Sequence, residues 1–163
     1  MHGAELANRA EVWMKEGRYL EAAEARRRQL MAEPTNPAIA LNLGIALFAA
    51  GKFELASVAL NEALDLDPRV VSTASPATLF GSQDAFDKAL TALERFVVKN
   101  PTDGSSRFVL GSMDLAAGRY FAARNEFSLL KEAAPQNPHV AAMLTEADKK
   151  FLEGAPETKP ETR

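Results

Sequence analysis

The sequence predicts an all-α protein, a solenoid of stacked helix pairs closed by a further helix at its end. Proline returns at nearly equal intervals of about 34 residues, at Pro34, Pro68, Pro101 and Pro135. Between these prolines, apolar residues recur with helical spacing on either side of a central glycine. A period of this length is typical of helix pairs that bury their apolar faces only against neighbouring pairs.

The same kinds of residue are expected to end the helices in each interval. A glycine accepts the left-handed conformation that often ends a helix, and a proline cannot continue one, so Gly17, Gly51 and Gly118 are expected to end first helices. First (inner) helices are predicted at about residues 4–16, 38–50 and 105–117. Second (outer) helices are predicted at about residues 18–32, 52–66, 84–99 and 119–133.

The third interval is irregular in its first half. Pro76 stands inside the expected inner helix, where proline costs about 3 kcal/mol unless it lies in the first turn. We therefore expect Ser75 to cap a short helix at about 76–81, and Ser82 to cap the outer helix that follows. Residues 70–74 are predicted to form an extended linker.

Both ends carry signs of capping. Beyond Pro138, apolar residues at helical spacing with charges on the other face predict a final helix that closes the solenoid. Arg9, Arg26 and Gln29 occupy slots that are normally apolar, so the first unit is expected to close the other end. Residues 154–163 contain no large apolar side chain and are predicted to be disordered.

A recurring motif identifies the repeat. It is clearest in the second and fourth units, as Leu43, Gly44, Gly51, Ala56 and Pro68, and as Leu110, Gly111, Gly118, Ala123 and Pro135. This pattern resembles the tetratricopeptide repeat. The resemblance implies a right-handed α-solenoid of helix-turn-helix repeats with a C-terminal capping helix. One domain is predicted at 1–153, with repeats at about 3–36, 37–69, 70–103 and 104–137 and the cap at 138–153.

The resemblance also implies a binding groove, because in this family the first helices line a concave face that holds peptides. Asn8 and Asn42 stand one repeat apart, in the slot where peptide-binding relatives use asparagine to hold the ligand backbone. The helix at 38–50 has no charged residue, so something should cover its surface. The predicted groove residues are Asn8, Glu11, Leu41, Asn42, Ile45, Phe48, Phe108, Ser112 and Leu115.

Two interpretations of the groove stay open. In the first, Leu41, Ile45, Phe48 and Phe108 anchor an amphipathic helix or an apolar extended segment of a partner. In the second, these side chains pack inside the chain as the superhelix closes, or the mobile C-terminal tail covers them.

A polar pair interrupts the fourth unit, where Arg107 and Asp114 replace the large aromatic residues usual in the family. Seven residues apart, they share one helix face about 10 Å apart along the axis. They are interpreted either as a solvated pair or as a polar notch for a ligand or another subunit.

Composition argues against most other functions. The net charge of −3 gives no basic footprint for nucleic acid, and the run of Arg26, Arg27 and Arg28 is interpreted as a solvated helix face. There is no cysteine, and two isolated histidines form no metal-binding or catalytic pattern. No stretch approaches the length of a membrane span. We therefore expect no enzyme activity, metal, cofactor or membrane insertion.

The predicted function is that of an adaptor or scaffold that binds a peptide or helix of another protein in the concave groove. The alternatives are a structural assembly module that self-associates, or an accessory domain of a larger bacterial protein. The compartment stays open: a cytoplasmic location is the default, and a periplasmic one fits an excised domain.

Overall fold

The computed structural model describes residues 2–154, and this part of the chain contains nine helices and no strand. The predicted disordered tail, apart from Gly154, lies outside the described residues. The helices are α1 (Gly3–Lys15), α2 (Tyr19–Ala32), α3 (Pro37–Ala49), α4 (Phe53–Leu66), α5 (Pro76–Phe80), α6 (Gln83–Lys99), α7 (Gly104–Ala116), α8 (Tyr120–Ala133) and α9 (Pro138–Leu152).

The predicted helix bounds are confirmed, each end lying within about a residue of the expected one. Gly51 and Gly118 end α3 and α7 with φ of 76° and 78°, in the left-handed region. Side-chain caps begin the helices that follow Pro34, Pro101 and Pro135. The Asn36 side chain accepts hydrogen bonds from the backbone N–H groups of Ala38 and Ile39, with Pro37 in the first turn of α3.

Within a unit, glycine lets the two helices approach closely. A Cβ atom on Gly44 would lie 2.9 Å from Cδ2 of Leu60, and one on Gly111 would lie 2.9 Å from Cζ of Phe127. The backbone carbonyl oxygen of Ala56, one turn earlier on α4, lies 3.5 Å from the same Cβ position on Gly44. Leu60 and Phe127 are fully buried, so these contacts form the centre of each pair.

The units do not stack in chain order. As expected for a solenoid, α2 packs on α3 and α8 packs on α9, but α4 packs directly on α7, the first helix of the fourth unit. The start of α9 also reaches α4, because Nε2 of His139 lies 2.6 Å from Oδ1 of Asp65. The fourth unit therefore stacks on the second, and the third unit is displaced from the row.

The displaced third unit lies against the inner helices. Helix α5 contacts α1, where the Lys15 side chain covers Gly81, and α6 packs on α3 and α7. The rings of Phe48, Phe80 and Phe86 form one cluster with centroids 5.7–6.3 Å apart. Tyr19 joins it, 5.6 Å from Phe80.

The sequence predicted α6 as an outer helix. That position is wrong, because the amphipathic α6 buries its apolar face against α3 and α7.

The linker before α5 is not extended as predicted. Residues 68–73 form successive turns, with the backbone N–H of Thr73 donating to the carbonyl of Arg69 at 3.2 Å. Val71 is fully buried and Val70 is nearly so. Because these two side chains are buried, the linker lies in the core, and α5 lies against α1.

The first unit contains a buried arginine, Arg26, which was predicted to lie on a solvated helix face. Arg26 is buried, and its guanidinium donates to Oε1 of Gln29 at 2.9 Å. Burial lowers the pKa of Arg26, and the nearby Glu11 carboxylate opposes that shift. Arg27 and Arg28 are exposed, as the sequence predicted, and both donate to Glu24.

The two serines of the third unit give a matched test of helix capping. The Ser82 hydroxyl accepts a hydrogen bond from the Ala85 N–H at 3.1 Å, whereas the Ser75 side chain makes no capping hydrogen bond. We expect Ser82→Ala to lower the free energy of unfolding by about 1 kcal/mol. Ser75→Ala should change it by less than about 0.5 kcal/mol. Chemical denaturation followed by circular dichroism measures both, and equal losses would contradict the assigned caps.

Candidate functional site

The apolar residues predicted to anchor a partner are covered by the chain itself. None of Leu41, Ile45, Phe48, Phe108 and Leu115 is more than 6% exposed. Phe48 lies under the rings of Phe80 and Phe86, and Phe108 packs on Phe127 of α8 at 5.9 Å. The geometry therefore agrees with internal packing, the second of the two interpretations of the groove.

The polar residues predicted for the same groove stay more accessible. Asn8 and Glu11 on α1 are exposed, and Asn42 on α3 is half-buried. Neither asparagine side chain makes a hydrogen bond to another residue in the described part of the chain. Ser112 differs, because its hydroxyl is fully buried and has no hydrogen-bond partner among residues 2–154. Asn8, Glu11 and Asn42 are thus the predicted groove residues that a partner can reach.

Arg107 and Asp114 lie in different surroundings. Arg107 turns to α8, where it donates to Oε2 of Glu126 at 2.8 Å, and it also donates to the Pro101 carbonyl. Asp114 is fully buried. With Arg107 mostly covered as well, the pair offers little surface to a ligand.

A buried arginine that the sequence did not single out ties α6 to the solenoid. The side chain of Arg119, at the start of α8, is 7% exposed and lies 3.5 Å from Oδ1 of Asp87 and 3.7 Å from Oε1 of Glu94. Both carboxylates belong to α6. The ion pairs hold the displaced helix from its polar side, while Phe86 and Leu90 hold it from the apolar side.

A second surface lies between the outer helices α2 and α4. We call it the α2–α4 cleft. Its volume is about 360 Å³. Leu43 and Leu47 of α3 contribute to its lining, and Leu20, Leu55 and Val58 stand exposed beside them. The remaining lining residues are Ala23, Glu24, Arg27, Ala59 and Glu62. The sequence carries a signal for this surface, because Leu20, Leu55 and Val58 are apolar residues at solvent-facing positions of the outer helices.

Within residues 2–154, no group of three or more histidine, aspartate or glutamate side chains is arranged to hold a metal ion. None of the described helices combines the length and apolar character needed to cross a membrane.

Comparison with known families decides the identity of the repeat. Two models of the tetratricopeptide repeat match the chain, one over residues 14–72 and the other over residues 77–138, and together they cover most of it. The chain belongs to the tetratricopeptide repeat family. No curated protein gives a match.

Tetratricopeptide repeats generally mediate protein–protein interactions and are generally non-catalytic. The two matches divide this tetratricopeptide repeat chain close to where its stacking changes. The first ends in the buried turns at Val71 and Ser72, and the second begins at Ala77 in α5. The second match therefore includes α5 and α6, so the displaced third unit is itself a tetratricopeptide repeat.

Proposed function

We propose that this tetratricopeptide repeat protein is a non-enzymatic adaptor that holds an extended segment of another protein against α1 and α3. Asn8 and Asn42 carry the proposal. They occupy equivalent slots one repeat apart, and neither side chain has a hydrogen-bond partner in the described chain. A carboxamide both donates and accepts, so each can pair with one peptide group of the segment.

The neighbouring side chains favour close approach of a backbone. Ala4 precedes Asn8 by one helical turn and Ala38 precedes Asn42 by one turn, and both alanines are exposed. Small side chains beside each carboxamide leave room for a main chain. Glu11, one turn after Asn8, adds a carboxylate that would favour a basic residue in the segment.

The third unit is expected to stay in place when the partner binds. Uncovering Ile45 and Phe48 would require α6 to leave, which would expose Phe86, Leu90 and Leu93. Each large apolar side chain contributes about 1.5–3 kcal/mol when fully buried. Their loss would approach the total stability of a typical domain, about 5–15 kcal/mol. A partner that relies on the apolar anchors is therefore disfavoured relative to one held by the exposed amides.

The proposal is tested with the Asn8→Ala/Asn42→Ala double variant. We expect proteins captured from cell extract by the wild-type chain to be retained about five- to a hundredfold less well. The two substitutions remove at least two hydrogen bonds, and the net worth of each is about 0.5–1.5 kcal/mol. Quantitative mass spectrometry of the captured proteins measures this ratio. Thermal unfolding should change little, since neither asparagine side chain bonds to another described residue and alanine has the higher helix propensity.

Asn125→Ala is the matched control, because Asn125 is an exposed asparagine on the outer helix α8. It should retain every protein that the wild type retains. Equal retention by the double variant and the wild type would contradict binding through Asn8 and Asn42.

A further inference from the structure

The sequence beyond the described residues contains a short repeat of its own. Residues 156–159 read Pro-Glu-Thr-Lys and residues 160–163 read Pro-Glu-Thr-Arg, so one pattern of proline, glutamate, threonine and a basic residue occurs twice. We call residues 155–163 the tail segment. It has two carboxylates, two cationic side chains and no large apolar residue. A surface that recognises it has to do so through its backbone and its charges.

The accessible part of the groove on α1 and α3 is polar in the same way. The apolar groove residues are buried, whereas Asn8 and Asn42 offer carboxamides with no hydrogen-bond partner in the described chain. Glu11 and Lys15 stand exposed on α1. Neither of these charged side chains forms a salt bridge with another residue among 2–154. This surface therefore suits a polar segment with charges of both signs.

The spacing of the charges on α1 matches that within one unit of the tail segment. Glu11 and Lys15 are four residues apart on a helix, which places their Cβ atoms about 5–6 Å apart. Proline favours an extended backbone for itself and for the residue before it. In such a chain, residues two apart lie about 6–7 Å from each other and can point to the same side. The basic residue of a unit can therefore face Glu11 while the glutamate of that unit faces Lys15.

The spacing between the two asparagines matches the distance from one unit of the tail segment to the next. Helices α1 and α3 pack much more closely on α2 than on each other. Their axes therefore lie somewhat further apart than the about 8–10 Å of two packed helices. Four residues of extended chain span about 12–13 Å. The two units can thus offer equivalent backbone groups to Asn42 and to Asn8.

The order of the helices favours the groove of a second copy over the chain's own groove. The tail segment follows α9, and α6 packs on α7 and α3, the helices that the segment would have to cross. Its nine residues extend at most about 30 Å. From α9 to α1 there are three steps between inner helices, each at least about 8–10 Å. The path along its own chain would therefore use up the whole segment, whereas a second copy imposes no such limit.

We infer that the tail segment of one copy binds across α1 and α3 of a second copy. Asn8 and Asn42 hold its backbone, and one of its basic side chains lies beside Glu11. The inference rests on the adaptor surface proposed above and names a ligand for it. Because the two contacting surfaces differ, the contact is heterologous, and copies join head to tail.

Two complementary variants of the full chain test the contact by sedimentation velocity. Asn8→Ala/Asn42→Ala removes the groove amides and keeps the tail segment, and Lys159→Glu/Arg163→Glu does the reverse. Each variant alone should stay monomeric at concentrations where the wild type associates. Mixed, the two should form a one-to-one complex, because one supplies an intact groove and the other an intact tail segment. A mixture that stays monomeric, or a single variant that associates like the wild type, would overturn the inference.

A labelled peptide of residues 154–163 tests recognition of the sequence by fluorescence anisotropy with the full chain. Asn8→Ala/Asn42→Ala should weaken its binding at least about fivefold, as expected for the loss of two hydrogen bonds. Glu11→Gln should weaken it about two- to fivefold, the usual range for an exposed charge pair. Asn125→Ala and Glu54→Gln are the matched controls on outer helices and should bind like the wild type.

A peptide with the same residues in shuffled order, which lacks the repeated unit, should bind at least about fivefold more weakly than the natural one. Equal binding of the two peptides, no saturable binding of the natural peptide, or unchanged binding by Asn8→Ala/Asn42→Ala would each overturn the inference. If the natural peptide fails to bind while that double variant still loses captured proteins, the tail segment is not the ligand and the adaptor surface stands. If the double variant changes neither measurement, both proposals are wrong.

Discussion

Replacing Phe48 by alanine is expected to lower the free energy of unfolding by about 3–5 kcal/mol. Phe48 is 1% exposed, and its ring makes edge contacts with Phe80 and Phe86. The substitution removes a large buried side chain and two aromatic pairs, each worth about 0.5–1.5 kcal/mol beyond the area that it buries. The cavity would open between α3 and the displaced third unit. Chemical denaturation at neutral pH, followed by circular dichroism, measures the loss.

Val98→Ala is the control for this experiment, because it shortens an exposed apolar side chain of α6 and should change stability by less than about 0.5 kcal/mol. A groove open to a partner would leave Phe48 in solvent. In that case Phe48→Ala would cost no more than Val98→Ala, and the packing of the third unit described above would be contradicted.

Replacing Arg119 by methionine is expected to cost about 2–3 kcal/mol of stability. The change keeps an unbranched side chain of similar length but leaves Asp87 and Glu94 of α6 without the cation beside them. Breaking a fully buried ion pair costs about 3–5 kcal/mol. The two carboxylates are partly exposed, at 22% and 25%, so water reduces the expected cost. Denaturation curves of wild type and variant give the difference.

Arg18→Met provides the comparison, because the half-exposed Arg18 pairs with Glu16 and Glu21 in solvent. An exposed pair contributes about 0–1 kcal/mol. Neutralising both α6 carboxylates, by Asp87→Asn with Glu94→Gln, should recover part of the stability that Arg119→Met loses. Equal costs for Arg18→Met and Arg119→Met would contradict the role of Arg119 in holding α6.

The helices could be predicted from the sequence because the signals that bound them are local. A glycine such as Gly51 ends an inner helix because its own φ is left-handed. Pro68 follows the end of α4 and cannot continue that helix. Both effects act within one or two turns. The amphipathic pattern of α6 was equally clear, so its existence and extent were predicted correctly.

The position of α6 could not be predicted in the same way, because an amphipathic pattern gives a buried face and does not name the surface that covers it. Pro76 indicated that the first helix of the third unit would be short, but the inward turn depends on burial of Val70 and Val71. Arg119 shows the same limit. It precedes α8 as an ordinary polar residue, and only the fold brings Asp87 and Glu94 to it.

The direct contact between the first and third units is the feature that an ordinary row of repeats lacks. An NOE experiment on the rings of Tyr19 and Phe80 tests it most directly. The ring centroids are 5.6 Å apart in an edge contact, so a cross-peak is expected. Tyr120 has no aromatic ring contact among the described residues and serves as the internal control. If the third unit instead followed the second in a regular row, the second unit would separate Tyr19 from Phe80, and the absence of this cross-peak would contradict the fold.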